Sequence, residues 1–544
     1  MYRRRLFITL LLTGALLITA CGSSGSPAPA AEGQDAASAE AASSEGTAEG
    51  TESAGEEALA PGLPDEPYEA VDYNLYPAPE GGFVGDVMPF VTDDGQLELY
   101  YLYDTTSNGQ GYHPIYKYST RNLYEYQDHG MVLNYGLMSE PDPALGTGSV
   151  MQDSTGLYHL FYTGHNDTGN NGRGKECAMH ATSTDRENWV KDEEPLFFAP
   201  EGYSKDDFRD PEVFWVEEDQ CYWLLIAANE NTLGGVVVKY TSTDLVNWEF
   251  VGPIFAPMQQ YMCECPDLFN IGDYWYLTYS WDCVTYYAMS DSMEGPFVAP
   301  RDNILDGKGM IEGSGFMYYA AKTAVLDDKL YLCGWIGRAG LNADSGAYQW
   351  AGNVMVHELV QHEDGTLGVK APETLSEYFT VDKSFETAVV KGEAEVSGNS
   401  ISLSAAEEEY TLVDMGTRPA TMTLECDVTL DDDGRAGFVF GGGESGDYWT
   451  AMCLDDRLDL LHYEGYEIEE FDSFEPQALT KFDFTKKDIH HVKLVCENEI
   501  IVLYVDDVKA LSCRVQHSVN GAHIGVFSDG CNARFENIVM RLPS

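Results

Sequence analysis

Basic residues are scarce in this chain. Lysine and arginine total 31 against 90 aspartates and glutamates, a formal net charge of −59 at pH 7. A surface so negative repels phosphate backbones, which excludes nucleic acid as a partner and disfavours anionic substrates. Cysteine is present at 12 positions, yet setting Cys21 aside leaves an odd number with no small-scaffold spacing. Cys263-Glu264-Cys265 is too tight for a zinc pair, and neither a matching cluster nor a ligand-spaced set of histidines accompanies it. No metal site is expected, and the thiols read as buried small hydrophobes. What is abundant is apolar and aromatic: 44% hydrophobic and 12% aromatic residues, ample for a core and incompatible with disorder of the whole chain. The 53 glycines and 34 tyrosines lean toward turn-rich β structure. A length of 544 residues suits about three or four ordinary domains or two large ones.

The first residues carry an address. Arg3, Arg4 and Arg5 precede an apolar run from Leu6 to Ile18 that is too short for a comfortable membrane span. The run ends in Ile18-Thr19-Ala20-Cys21, which resembles a bacterial lipobox. Residues 1–20 are therefore expected to be a signal peptide, with Cys21 lipidated and extracytoplasmic, tethered to the cell membrane. Residues 21–68 are dominated by Ala, Ser, Gly, Glu, Thr and Pro without a single lysine or arginine, the composition of a disordered, self-repelling spacer.

Between about residues 80 and 370 one phrase recurs: an alternating aromatic-rich strand, a Ser/Thr/Asp turn, then an aromatic opening the next strand. It stands as Lys117-Tyr118-Ser119-Thr120-Arg121 before Tyr124, Ala181-Thr182-Ser183-Thr184-Asp185 before Trp189, and Tyr240-Thr241-Ser242-Thr243-Asp244 before Trp248. A degenerate copy, Ala288-Met289-Ser290-Asp291, precedes Phe297. Copies spaced roughly 50 to 65 residues apart predict β-propeller blades, about five of them, over residues 69–374. Leu97–Tyr103, Tyr158–Thr163, Cys221–Ala227, Tyr274–Ser280 and Lys329–Trp335 are expected strands. Residues 375–544 lose the phrase and show longer alternating segments, which predict an antiparallel β-sandwich that braces the propeller or binds sugar. The fold class is all-β.

A propeller gathers segments distant in sequence around one funnel, and three acids stand in distinctive surroundings. Asp86 lies in Val84-Gly85-Asp86-Val87-Met88-Pro89, Asp210 in Arg209-Asp210-Pro211-Glu212, and Glu264 in Cys263-Glu264-Cys265-Pro266-Asp267. The last two share an order of acid, proline, acid and apolar strand. Glycosidic cleavage requires one carboxyl group to protonate the leaving oxygen and another to attack the anomeric carbon or activate water. Burial and neighbouring charge set which of them is protonated. Asp104 competes with Asp86 for a place in the trio.

These motifs resemble glycoside hydrolase family 32, the invertase and levanase group, which shares a clan with families 68 and 43. Arg209-Asp210-Pro211 and Glu264-Cys265-Pro266 match the family's Arg-Asp-Pro and Glu-Cys-Pro motifs in order and approximate separation. Phe161-Tyr162-Thr163-Gly164 and Gly334-Trp335 are weaker signposts. The resemblance implies Asp86 as nucleophile, Glu264 as acid/base, Asp210 as transition-state stabiliser and Arg209 as a substrate-binding donor, with no cofactor required. The first motif departs from the family's Asn-Asp-Pro-Asn-Gly, and with it go amides that would hold fructose.

Trp335, and after it Trp215 and Trp281, are candidates to stack on a sugar face. His113, Asn166 and Tyr319 are further polar candidates for the funnel. The expected function is retaining hydrolysis of β-fructofuranosyl or related furanosyl linkages in a carbohydrate substrate. A family 43-like inverting arabinan or xylan glycosidase and a noncatalytic glycan-binding lipoprotein are the alternatives. No protein partner is implied.

Overall fold

The recurring phrase has a physical cause. In the computed structural model Asp185 Oδ1 accepts the backbone N–H groups of Glu187 at 3.0 Å and Asn188 at 2.8 Å, and Trp189 Nε1 donates to the Arg186 carbonyl at 3.2 Å. Asp244 repeats the turn with Val246 at 3.0 Å and Asn247 at 2.7 Å, and Trp248 Nε1 reaches the Leu245 carbonyl at 3.2 Å. Backbone donors aimed at a carboxylate favour its charged form and hold both aspartates well below the usual range. The structure describes residues 72–544 apart from 106–112, 259–260, 311–314, 341–345, 408, 432–433, 442–447, 456, 465–476, 483, 485 and 517–521. The signal peptide, Cys21 and the whole spacer lie outside the described residues.

The described chain is all-β, interrupted by a four-residue helix at Leu375–Tyr378 and a 3₁₀ turn at Asn170–Gly172. Antiparallel strand groups follow one another to residue 370 in four sheets, the first and last groups sharing one, and each group, or unit, opens with a leading strand: Phe83–Val91, Ala144–Gln152, Tyr203–Val216, Glu264–Ile271 and Tyr318–Leu326. Each leading strand packs against the next, and the fifth packs against the first. The first and last units meet through a single ladder pair, Val84 with Gly352. The second strands are Leu97–Asp104, Tyr158–His165, Cys221–Glu230, Tyr274–Trp281 and Lys329–Ala339, each starting where the sequence places it and running one to four residues longer.

The leading strands are where sequence and structure differ. The sequence reading puts the acids ahead of the strands, whereas the structure puts all three inside them. Each leading strand is broken by a bulge, at Asp86, Thr147, Asp210-Pro211, Cys265-Pro266 and Ala320-Ala321. A bulge inserts an unpaired residue and erases the two-residue alternation by which strands are read. It also accommodates Pro211 and Pro266, which have no N–H to give a ladder. Asp210, Cys265 and Ala320 take left-handed backbone, with φ of 65°, 51° and 54°. Such residues cost on the order of 1 kcal/mol each and are held by their surroundings.

From Phe379 onward the strands form one eight-stranded sheet and seven strands of a second, with a common core that includes Leu424, Phe438, Leu494, Leu503, Val526 and Phe535. Lys308–Gly309 pairs with Ala478–Lys481, so a loop of the fourth unit extends one of these sheets. The buried Glu497 carboxylate accepts the N–H groups of Asn74, Leu75 and Tyr76 at 2.8, 2.8 and 3.0 Å. That contact pins the segment leading into Phe83–Val91. Buried His357 adds a second tie, with Nε2 2.9 Å from Asp306 Oδ2 and Nδ1 2.8 Å from the Tyr504 hydroxyl.

Candidate active site

The five bulges turn side chains and backbone groups toward one another, and hydrogen bonds link four of the units in sequence. Thr147 Oγ1 donates to the Asp86 carbonyl at 3.1 Å, and Thr163 Oγ1 donates to the Thr147 carbonyl at 3.1 Å. The Asp210 N–H then donates to Thr163 Oγ1 at 2.8 Å, and the Cys265 N–H donates to Asp210 Oδ2 at 2.9 Å. This chain registers three acids from three leading strands. Asp210 is 4% exposed and forms the floor, whereas the Glu264 side chain is 22% exposed and can meet a ligand.

Glu264 is gripped from two sides. Arg209 Nη2 donates to its Oε1 at 2.7 Å and Nε at 3.2 Å, while the Tyr319 hydroxyl donates to Oε2. Arg209 is in turn anchored on Glu176, 3.0 Å from Oε2, and that carboxylate also accepts the Phe208 N–H at 2.7 Å. Glu176 belongs to no motif in the sequence, and only the structure brings it in.

Asp86 Oδ1 accepts the Trp335 indole N–H at 3.0 Å. Trp335 is fully buried, so it cannot offer a face to sugar, contrary to the stacking role expected of it. It reaches the site through its edge. Gly85 has a local reason as well: a Cβ there would lie 2.5 Å from the Trp350 ring. The space beside Asp86, where the family's motif has asparagine, is taken by the Trp350 ring.

Burial raises the Asp86 carboxyl to about 6, with the Trp335 N–H opposing and the Glu264 charge adding to the rise. Asp210 is pushed up to about 7, first by burial, against the pull of Arg209 and with Glu264 and Asp86 raising it further. Asp86 and Asp210 are thereby both raised toward neutrality, the range in which carboxyl groups serve acid/base chemistry.

The remaining candidates separate cleanly. Asp104 is not in the trio, and it pairs with Arg338 at 3.0 Å. His113 stands 3.7 Å from Asp104 with its ring 4.7 Å from that of Trp350. Buried Asn166 holds a loop, donating to the Glu140 carbonyl at 2.7 Å. Trp215 bonds Glu217 at 2.8 Å and packs on Tyr222, away from the acids, while Trp281 follows Ser280, the ladder partner of Glu264. A cavity of about 790 Å³ lined by Tyr73, Glu80, Phe83, Arg338, Glu499 and Arg514 includes none of the three acids, so its size marks a separate cleft. Among the described residues, no group of three or more His, Cys, Asp or Glu is arranged to hold a metal ion.

Fold and site together define an all-β protein with carboxyl groups brought together by the first, third and fourth leading strands. Residues 77–370 match the glycosyl hydrolases family 32 N-terminal domain. The chain belongs to glycoside hydrolase family 32. It is 25% identical over 275 residues to a sucrose-6-phosphate hydrolase of Staphylococcus xylosus, covering 46% of this chain and 52% of that protein. It is 26% identical over 303 residues to a raffinose invertase of Escherichia coli, covering 53% and 62%. The chain thus spans between half and two thirds of these relatives' lengths. Fructan 1-exohydrolase IIa from Cichorium intybus shares the fold, with a TM-score of 0.64 at 15% identity over 86% of this chain and 96% of that one.

Proposed function

We propose that this protein hydrolyses β-fructofuranosyl linkages in neutral oligo- or polysaccharides with retention of configuration. The observation that carries the reading is the placement of Asp86, Asp210 and Glu264 on three leading strands joined by one hydrogen-bond chain. Glu264 protonates the departing oxygen as Asp86 attacks the anomeric carbon, breaking the glycosidic bond and forming an ester. Glu264, now a carboxylate, takes a proton from water while the water oxygen displaces Asp86. The donors from Arg209 and Tyr319 suit that carboxylate form. Asp210 at the floor holds sugar hydroxyls, and Arg209 donates to the substrate. The named relatives include both phosphorylated-sucrose and raffinose enzymes; the acid excess and the full pairing of Arg209 favour an uncharged substrate here.

The architecture proposed is a five-bladed propeller over residues 69–374 and a β-sandwich over 375–544. Five leading strands, each bulged near its start and each packed on the next, support the blade number. The Ile18-Thr19-Ala20-Cys21 motif supports a lipid-anchored, extracytoplasmic protein. Incubation with sucrose, inulin and arabinan tests the activity, and proton NMR of the first product tests retention. A β-fructofuranose released from sucrose or inulin is the expected result. Turnover of arabinan alone, or an inverted first product, would contradict it.

A further inference from the structure

The geometry points to a binding site for the leaving-group sugar, built by Tyr261 and Trp281 on the acid/base side of the mouth. It rests on the fructosidase reading and names where the other half of the substrate goes. Tyr261 is 50% exposed although a ring of its size is normally covered. Its ring lies 5.6 Å from that of Trp281 at 41°, so the two form one tilted aromatic platform.

Three features hold this platform in place beside Glu264. The Tyr261 hydroxyl donates to Asp207 Oδ2 at 2.6 Å, and Asn229 Nδ2 donates to the Tyr261 carbonyl at 2.8 Å. Asp207 Oδ1 stands 3.6 Å from Arg209, the residue that grips Glu264, so the platform and the acid/base share one polar chain. Trp281 is carried by a two-residue hairpin turn, Asp282-Cys283, in which both residues take positive φ, 49° and 64°. That turn fits the twist of the flanking strands and sets Trp281 next to Ser280, opposite Glu264.

The chemistry of the platform selects its ligand. Two rings offer apolar area and, at the edge, a carboxylate that accepts hydroxyl protons. Those features suit the C–H face and hydroxyls of an uncharged sugar ring. Arg209 is already paired with Glu176 and Glu264, and Lys308 with Asp282 at 2.5 Å, which disfavours a phosphate here. A sugar seated here has the oxygen that joins it to the fructosyl unit on the Glu264 side, so binding places the departing oxygen at the proposed acid.

Steady-state kinetics of Tyr261→Ala and Trp281→Ala on sucrose and on methyl β-D-fructofuranoside test the site, because the second substrate has no leaving sugar. Each variant is expected to raise KM for sucrose about tenfold with kcat within about twofold, and to leave kcat/KM for the methyl fructoside within about twofold. Equal losses on both substrates, or no change on sucrose, would overturn the platform. Tyr261→Phe keeps the ring and is expected to keep KM within about threefold; behaviour like Tyr261→Ala would overturn stacking as the source of binding. A wild-type protein inactive on both substrates would instead refute the fructosidase reading, and the platform with it.

Discussion

The backbone N–H of Cys265 points at the carboxylate of Asp210, 2.9 Å from Oδ2, across 55 residues of sequence. It can do so because Cys265 sits in a bulge with φ of 51°, which frees its N–H from the ladder. The Glu-Cys-Pro segment thereby both carries Glu264 and holds the floor aspartate. The two motifs work as one structural unit.

Asp210→Asn should separate charge from geometry, since the amide oxygen can still accept the Cys265 N–H. A fall in kcat of about 10²–10³-fold is expected, the range for removal of one preorganised electrostatic contact. Thermal stability should hold or rise, because a buried carboxyl raised to about 7 no longer has to ionise. Unchanged kcat, measured beside the melting temperature, would remove Asp210 from the mechanism.

In the proposed mechanism Asp86 is the nucleophile, and the pH profile of kcat/KM tests that role. Asp86 must be ionised to attack, and its carboxyl is raised to about 6, so activity should fall as the pH drops through about 6. The Trp335 N–H stabilises the charged form. Trp335→Phe therefore raises the carboxyl further and should shift the acid limb to higher pH. A limb that stays in place while activity drops would reduce Trp335 to a packing residue.

Much of this was legible in sequence, and the failures share one cause. The second strands begin at the residues the alternation marks, because in the ladders opened by Leu97, Tyr158 and Lys329 the bulged residues fall on the leading strand and leave the second strand's alternation intact. Alternation fails at Asp86, Asp210 and Glu264, where bulges and prolines interrupt it, so these candidates were picked out by motif and their strands were not. Glu176 was invisible, since nothing in Lys175-Glu176-Cys177 distinguishes it from a solvated acid. Trp335 was placed in the right region with the wrong face, because a sequence does not say whether a ring is presented flat or by its edge.

Buried ion pairs beneath the site should govern stability. Lys322 Nζ lies 2.7 Å from Glu212 Oε2 and donates to the Gly148 carbonyl at 2.7 Å, with the lysine side chain 2% exposed. Lys322→Met strands Glu212 and should destabilise the fold by about 3–5 kcal/mol near pH 8 in urea unfolding. Burial already raises Glu212 to about 7, and loss of the lysine raises it more. The native state can then hold the group protonated at low pH, so the loss should shrink by pH 5. A loss independent of pH would contradict the pairing.

Cys21→Ser tests the anchor. Wild-type protein should partition with the membrane fraction and take up labelled fatty acid, and the variant should do neither. Membrane partition that persists without Cys21 would refute the lipobox reading.

The most direct test of the carboxylate trio is the rate of sucrose and inulin hydrolysis by wild-type protein beside Glu264→Gln. The account requires measurable turnover by the wild type and a drop of roughly two to four orders of magnitude in the variant, the range for a positioned acid or base. Equal rates in the two proteins, or sugar binding without turnover in the wild type, would contradict it.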